Sequence, residues 1–505
     1  MPQKRFRLTG LQAASKLFFT ASQRSFPWPR KVQLRPRCTI EINYQVEMRS
    51  KTVRYLYVWA LTLVVLLPNA ASLSAQSSQP EREKLLNGLS IIFWPRPGDA
   101  NVTLKLRIHS GAAFDLAGKA GTMSLLADTL FPDTETREYV NEQLGGKLEV
   151  MTDYDAINVT ISGKASELER MIELLRNAVI NPNLGPEAVA KIKEGRLKEL
   201  NSKSTSVAET ADRAIAARLF GSFPYAQPEG GTSETVSKIE RADLMLADDR
   251  FLHADNASLV VIGGIEKSRL MRDVRQLLGP WQKGDRTVPA TFRQAATPDA
   301  RMLLLNQSAT NTSEVRIAVR GLARSDRDSL AAQVLARIAH ERWRSAVADL
   351  SSASVKEDEH ALPGMFVFSG RASQAATAKA VSAAREIMNT LAQSGANSTE
   401  VEQAKAVIAS ELNTRANQAE TIADAALDVD TYKLSSIAQP LNDVNRITVV
   451  DVQRVASRLF KDAALAIVIV GDAEQLKTSL GPNVEVRAAT AELKNTTSPA
   501  TSPKP

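Results

Sequence analysis

The chain has 505 residues, of which 44% are hydrophobic and 24% charged, as in soluble globular proteins of about two to four domains. Its formal charge of +7 does not indicate a nucleic-acid-binding protein, because much of the excess lies in the first 54 residues and no Arg/aromatic interleaving is present. One cysteine, Cys38, and four histidines exclude an internal disulfide framework and a cysteine-rich zinc site.

The N-terminal segment, residues 1–75, reads as a leader. An apolar run at 56–67, LYVWALTLVVLL, follows basic residues and precedes small residues that end in Ala75. These are the parts of a secretory signal peptide, with an uncleaved membrane anchor as the alternative. Because 47 residues precede Met48, we expect Met48 to be the true start, although a long leader remains open. The sequence therefore predicts export to the periplasm or the extracellular space.

Two segments of the chain repeat one another. Residues 243–265 align without a gap with residues 451–473, so that Gly263 matches Gly471 and the apolar positions agree. Each segment has the pattern of a helix, a short break and a buried strand that ends in glycine. An internal match of this kind predicts two copies of one structural unit.

The predicted elements follow the same order in both copies. In the first copy, strands are expected at 89–94, 102–109, 147–152 and 156–162, and helices from Gly121 and at 165–180 and 186–220. In the second copy, strands are expected at 302–306, 314–320 and 364–369, and helices at 328–349, 377–392 and 399–431.

Domain boundaries follow from these elements. The first repeat is predicted at 82–280, a linker at 281–300 and the second repeat at 301–488. The Thr/Ser/Pro-rich residues 489–505 are predicted to be a disordered tail. The predicted class is α+β, with helices against a mostly antiparallel sheet in each repeat.

Several short sequence motifs occur in the order found in one enzyme family. They are Asn87-Gly88-Leu89, the glycine-bounded stretch 118–121, and Leu219-Phe220-Gly221 followed by Pro224-Tyr225. Over residues 84–488 the chain resembles the insulinase (pitrilysin) family of metallopeptidases, which includes the mitochondrial processing peptidases. This resemblance implies two homologous repeats that face each other across a chamber.

The family's zinc motif is degenerate in this chain. Active members carry His-x-x-Glu-His on the helix after that glycine and a distant glutamate ligand on a later helix. The matching residues here are Ser124, Leu125, Leu126, Ala127 and Asp128, and Glu199 falls at the distant position. A hydroxyl, a methyl group and a short acid replace two imidazoles and the general base, so the resemblance predicts no catalytic residues and no metal ligands.

A second stretch imitates the motif without completing it. His340-Glu341 begins like the zinc motif, but the fifth position is Arg344. In the family, an Arg and a Tyr of the second repeat grip the substrate backbone. Arg342 and Arg344 are therefore weak candidates for peptide contact, with a structural or solvated role as the alternative, and the Tyr is missing.

Three functions are compatible with these residues. The preferred hypothesis is an exported non-catalytic protein that partners an intact family peptidase in a heterodimer, or binds peptide or unfolded polypeptide itself, without a cofactor. The second is a metal-dependent hydrolase in which Asp128 and Glu199 hold zinc or another cation. The third is a structural assembly subunit. No nucleic-acid partner is expected, and membrane association is expected only if the signal segment stays uncleaved.

Overall fold

The computed structural model describes residues 80–202, 206–284, 292, 295–308, 310–434 and 440–489. The predicted leader, most of the predicted tail and part of the predicted linker lie outside these residues, so these three predictions stay predictions. No helix among the described residues is long and apolar enough to cross a membrane.

The first half of the described chain, residues 80–284, contains a six-stranded sheet with the order β1-β2-β6-β3-β5-β4. Its strands are β1 (Glu81–Lys84), β2 (Ser90–Pro95), β3 (Asn101–Ile108), β4 (Lys147–Thr152), β5 (Ile157–Lys164) and β6 (Ala257–Gly263). Its helices are α1 (Thr122–Leu130), α2 (Thr134–Glu142), α3 (Leu168–Ile180), α4 (Pro186–Ser202), α5 (Val207–Phe220), α6 (Ser233–Ser237), α7 (Arg241–Phe251) and α8 (Lys267–Leu278).

The second half, residues 295–489, contains a six-stranded sheet with the order β12-β7-β11-β8-β10-β9. Its strands are β7 (Met302–Asn306), β8 (Thr312–Arg320), β9 (Leu350–Asp358), β10 (Met365–Ser373), β11 (Ala466–Gly471) and β12 (Val484–Ala488). Its helices are α9 (Ser329–Ala346), α10 (Thr377–Ser394), α11 (Ser398–Arg415), α12 (Ala419–Thr431), α13 (Pro440–Arg446), α14 (Val449–Phe460) and α15 (Ala473–Leu480).

The two sheets share one strand order once their outermost strands are set aside. The order β2-β6-β3-β5-β4 of the first sheet corresponds to β7-β11-β8-β10-β9 of the second. The β2–β6 and β7–β11 pairs are parallel, whereas the pairs formed by β3, β5 and β4, and by their counterparts, are antiparallel. The α+β class, with two repeats of a mostly antiparallel sheet flanked by helices, is therefore confirmed.

One helix of each half packs against the sheet of the other half. It covers the face that the sheet's own helices leave free. Ala211, Ala214 and Ile215 of α5 pack against the buried side chains of β7, β8 and β11. Reciprocally, Ala423 and Leu427 of α12 pack against β2 and β6. The described residues thus show an exchange of helices between the halves, and the predicted chamber between the repeats stays a prediction.

The exchanged helices carry matching ion pairs. Lys105 on β3 pairs with Asp424 on α12, and Arg316 on β8 pairs with Asp212 on α5. Lys105 lies opposite Val260 and Arg316 lies opposite Val468, which are equivalent positions of β6 and β11. The repeat is therefore visible in side-chain chemistry as well as in topology.

Some elements differ from the sequence-based expectation. The helical pattern at 186–220 forms two helices, and the second begins at the cap Ser206, whose hydroxyl accepts from Glu209 N at 3.1 Å. The pattern at 399–431 likewise breaks between α11 and α12. Strand β9 was not predicted, because its residues, LSSASVKED, lack a clear apolar alternation.

Candidate functional site

A half-buried aspartate and a crowded glycine fix the start of α1. Gly121 has φ of +96°, and a Cβ there would lie 2.8 Å from the carbonyl oxygen of Gly230. The carboxylate of Asp115 accepts from Gly121 N at 2.6 Å and from Met123 N at 2.8 Å. These bonds satisfy amide groups that a helix start leaves unpaired. The geometry of this helix start therefore explains the glycine at position 121.

Helices α1 and α4 bring the degenerate positions together. Ser124 and Ala127 are buried on α1, and Asp128 lies on its half-buried side. Helix α4 runs beside α1 and carries Glu199. The alignment that places Glu199 at the family's distant-ligand position thus agrees with the packing of these two helices.

An arginine cation lies between the two acids. The guanidinium of Arg196 donates to Asp128 Oδ2 through Nε at 3.0 Å and through Nη2 at 2.6 Å. Its Nη1 lies 3.7 Å from Glu199 Oε2, one turn further along α4. Burial raises the pKa of the Asp128 carboxyl, while Arg196 acts in the opposite direction. Arg196 therefore supplies the positive charge beside these two carboxylates.

The residues at this position do not fit zinc. A hydrolytic zinc site needs three good protein ligands and an open position for water. Here Ser124 offers a weakly coordinating hydroxyl, Ala127 offers a methyl group, and Asp128 is committed to Arg196. Across the described ranges, no group of three or more His, Cys, Asp or Glu side chains has a metal-binding arrangement.

Two sequence profiles of one peptidase family match consecutive parts of the chain. The profile described as insulinase (peptidase family M16) matches residues 92–232, and the profile described as peptidase M16 inactive domain matches residues 238–408. Together they span more than half of the chain. The chain belongs to the insulinase (M16) family.

The sequence relatives of this M16 chain include a subunit of the cytochrome b-c1 complex and an uncharacterized zinc protease. Subunit 1 of the mitochondrial cytochrome b-c1 complex of Bos taurus is 26% identical over 274 residues, 52% of this chain and 55% of the relative. An uncharacterized zinc protease of Mycobacterium leprae is 22% identical over 258 residues, 50% of this chain and 58% of the relative. The chain thus spans about half the length of the curated relatives it matches.

The fold of the M16 chain also matches solved structures. The crystal structure of a peptidase M16 inactive domain from Pseudomonas fluorescens superposes with a TM-score of 0.69 at 18% identity. The superposition covers 78% of this chain and 98% of that chain. The shared fold is the two-repeat architecture described above.

The two peptide-contact candidates of the M16 chain lie near the end of α9. Arg342 donates to both carboxylate oxygens of Glu400, at 2.7 and 2.9 Å, and to Gly395 O at 3.2 Å. Glu400 also belongs to the capping box that starts α11. Arg342 therefore has a structural partner, whereas Arg344 is exposed and pairs with Glu341 at 3.0 Å. Peptide contact at both positions stays a prediction.

A polar zone joins the two halves of the M16 chain. His360 of the second half lies 3.3 Å from Asp358 Oδ2 and 3.8 Å from Asp155 Oδ2 of the first half. The hydroxyl of Tyr225 donates to Asp155 Oδ1 at 3.3 Å and accepts from Leu362 N at 3.1 Å. Burial opposes a charge on His360, but the surrounding carboxylates outweigh it and raise its pKa. The zone was missed in the sequence, because its members are far apart along the chain.

Three half-buried acids, Asp115, Glu229 and Glu357, predict a pH-dependent stability. Burial raises the pKa of Asp115 and Glu229 to about 7 and of Glu357 to about 8. The unfolded chain has released these protons near pH 4–5, so the folded state binds more protons and its stability falls as pH rises. The raised pKa of His360 acts in the same direction, since its stabilisation is lost as pH rises through the folded pKa.

We expect the free energy of unfolding to fall between pH 6.5 and 8.5 by on the order of 2 kcal/mol. Burial lowers the pKa of His109 to about 4, which opposes this trend only below about pH 6.5. Urea denaturation across the range measures the slope, and Glu357→Gln is expected to reduce it. A stability that stays flat or rises over this interval contradicts the assignment.

Proposed function

We propose that this chain is an exported, non-catalytic M16 subunit that pairs with a catalytically intact M16 chain. The observation that carries the proposal is the guanidinium of Arg196 between Asp128 and Glu199. A built-in cation at this position occupies the Asp128 carboxylate and repels a metal ion from the space beside Glu199.

The part of the proposal that concerns a partner chain is supported by the relatives. Bovine cytochrome b-c1 complex subunit 1 is named as a subunit of a complex and aligns with about half of this chain. An M16 chain that has lost its zinc chemistry keeps its packing surfaces, so assembly is a function that can survive the loss. Export is supported by the apolar run at 56–67 and the small residues up to Ala75.

Co-expression tests the pairing. The tagged chain is produced together with an M16 chain from the same genome that carries His-x-x-Glu-His, and the purified material is assayed with a peptide library. We expect the two chains to co-purify and cleavage to depend on the intact chain. Replacing that chain's general-base glutamate is expected to abolish cleavage.

Matched variants locate the chemistry. Asp128→Ala and Glu199→Ala in the present chain are expected to leave cleavage by the pair unchanged, because neither residue acts on substrate. Chelator-sensitive cleavage by the present chain alone, lost in Asp128→Ala, contradicts the proposal and favours a hydrolase with unusual ligands. N-terminal sequencing of the secreted protein tests export, with a start directly after Ala75 as the expected result.

A further inference from the structure

Two hairpin turns meet where the halves of the chain join. The turn at 153–156 connects β4 to β5 in the first half, and the turn at 359–364 connects β9 to β10 in the second. The side chain of Asp155 in the first turn accepts a hydrogen bond from Ala361 N in the second turn, at 2.9 Å. A backbone amide of one half is therefore satisfied by a carboxylate of the other half.

His360 lies in the second turn and contacts the first half. Its Nδ1 is 3.8 Å from Asp155 Oδ2, and its Nε2 is 3.3 Å from Asp358 Oδ2. Its ring packs against the rings of Tyr154 and Tyr225, at centroid distances of 5.0 and 4.7 Å. Burial raises the pKa of both tyrosine hydroxyls, so these two rings carry no charge near neutral pH. The imidazole thus lies between a carboxylate of each half, and its protonation supplies the cation that both carboxylates share.

The other charged groups near this turn do not replace that cation. Glu229, in the segment between α5 and α6, acts on His360 as a further acid. Burial raises the pKa of Glu229 to about 7, so this carboxyl becomes negative in the interval in which an imidazole becomes neutral. The guanidinium of Arg324 pairs with Glu359 at 2.9 Å and lies 3.4 Å from Asp428. A neutral His360 therefore leaves like charges close together at the contact between the turns.

Each turn is also held within its own half. In the first half, Asp153 Oδ1 accepts from Ala156 N at 2.8 Å. In the second half, Gly321 N donates to Gly364 O at 2.9 Å. These bonds do not cross between the halves, so each turn can keep its shape when the contacts between the turns break.

We propose that His360 is a pH-dependent latch between the two halves, fastened while its imidazole is protonated and released when it is neutral. In the released state the two turns separate locally while each half stays folded. The carboxylates around His360 raise its pKa in the folded chain, so the latch is fastened at lower pH and is lost as pH rises through that pKa. The inference goes beyond the proposed function, because it requires neither a partner peptidase nor the loss of zinc.

Amide-resolved hydrogen–deuterium exchange of the purified chain at about pH 6 and about pH 8.5 tests the latch. The reporters are the amides of Ala361 and Leu362, because both donate to side chains of the first half. After correction for the intrinsic effect of pH on exchange, their protection is expected to fall at least about tenfold at the higher pH. Ala156, whose amide is bonded within the first half, is the internal control and is expected to keep its protection.

Two histidine variants assign the effect. His360→Gln is neutral at both pH values, so its two reporter amides are expected to exchange at the released level throughout. His253→Gln, in the first half beside Asp249, is the matched control and is expected to keep the native pH response. Circular dichroism verifies that each variant is folded. Protection of Ala361 and Leu362 that is independent of pH in the native chain, an equal loss at Ala156, or a native response in His360→Gln each overturns the proposal.

Discussion

The variant Ser124→His/Ala127→Glu/Asp128→His/Arg196→Met is expected to bind zinc with Glu199 as the third ligand. The first three changes restore the family motif on α1, and the fourth removes the competing cation from α4. Zinc at about a hundred times its dissociation constant is expected to stabilise this variant by about 2.7 kcal/mol, because the metal binds the folded site. Thermal unfolding with and without zinc measures the effect.

The same variant with Arg196 retained is the matched control. A guanidinium beside the restored ligands repels a divalent cation, so we expect binding to be weaker by roughly a hundredfold. The native chain is expected to show no zinc-dependent shift. Equal zinc affinity with and without Arg196 contradicts the electrostatic role given to this residue.

Arg107→Met is expected to lower the free energy of unfolding by about 3 kcal/mol. Arg107 is 6% exposed on β3 and donates to Asn158 at 2.7 Å, to Asp428 at 2.7 Å and to Asp424 at 2.8 Å. Both aspartates lie on the exchanged helix α12. Removing the Arg107 guanidinium leaves the mostly buried Asp428 with one less cation. It also loosens the contact between the halves. Urea denaturation measures the loss.

A more exposed arginine provides the comparison for this change. Arg213 on α5 pairs with Glu209 one turn away on the same helix. Arg213→Met is expected to change the stability by no more than about 0.5 kcal/mol, because an ion pair within one helix that water still reaches contributes little. Equal effects of the two substitutions contradict the assignment of Arg107 as a buried link between the halves.

The secondary structure was predictable where its signal is local. The apolar run of β7 and the alternation of β3 gave strands close to their observed bounds. The gapless match of 243–265 with 451–473 gave the repeat, because both segments keep a helix followed by a buried strand. The exchange of α5 and α12 was not predictable, since it depends on which sheet face each helix covers after the halves have packed.

The candidate site was predictable only in part. The family alignment brought Asp128 and Glu199 to adjacent helices, as the structure has them. Arg196 was missed, although it lies three residues before Glu199 and therefore on the same face of α4. The missing information was the rotation of α4 against α1, because it decides whether that arginine points to solvent or to Asp128. Long-range ion pairs of this kind are set by tertiary packing.

The measurement that tests the account most directly is the zinc content of the native chain. The purified protein is saturated with zinc, dialysed extensively and analysed by mass spectrometry of its metals, beside Asp128→Ala. Because Arg196 binds the Asp128 carboxylate and holds a positive charge 3.7 Å from Glu199 Oε2, the native chain is predicted to retain no zinc. One tightly held zinc per chain that disappears in Asp128→Ala contradicts this claim.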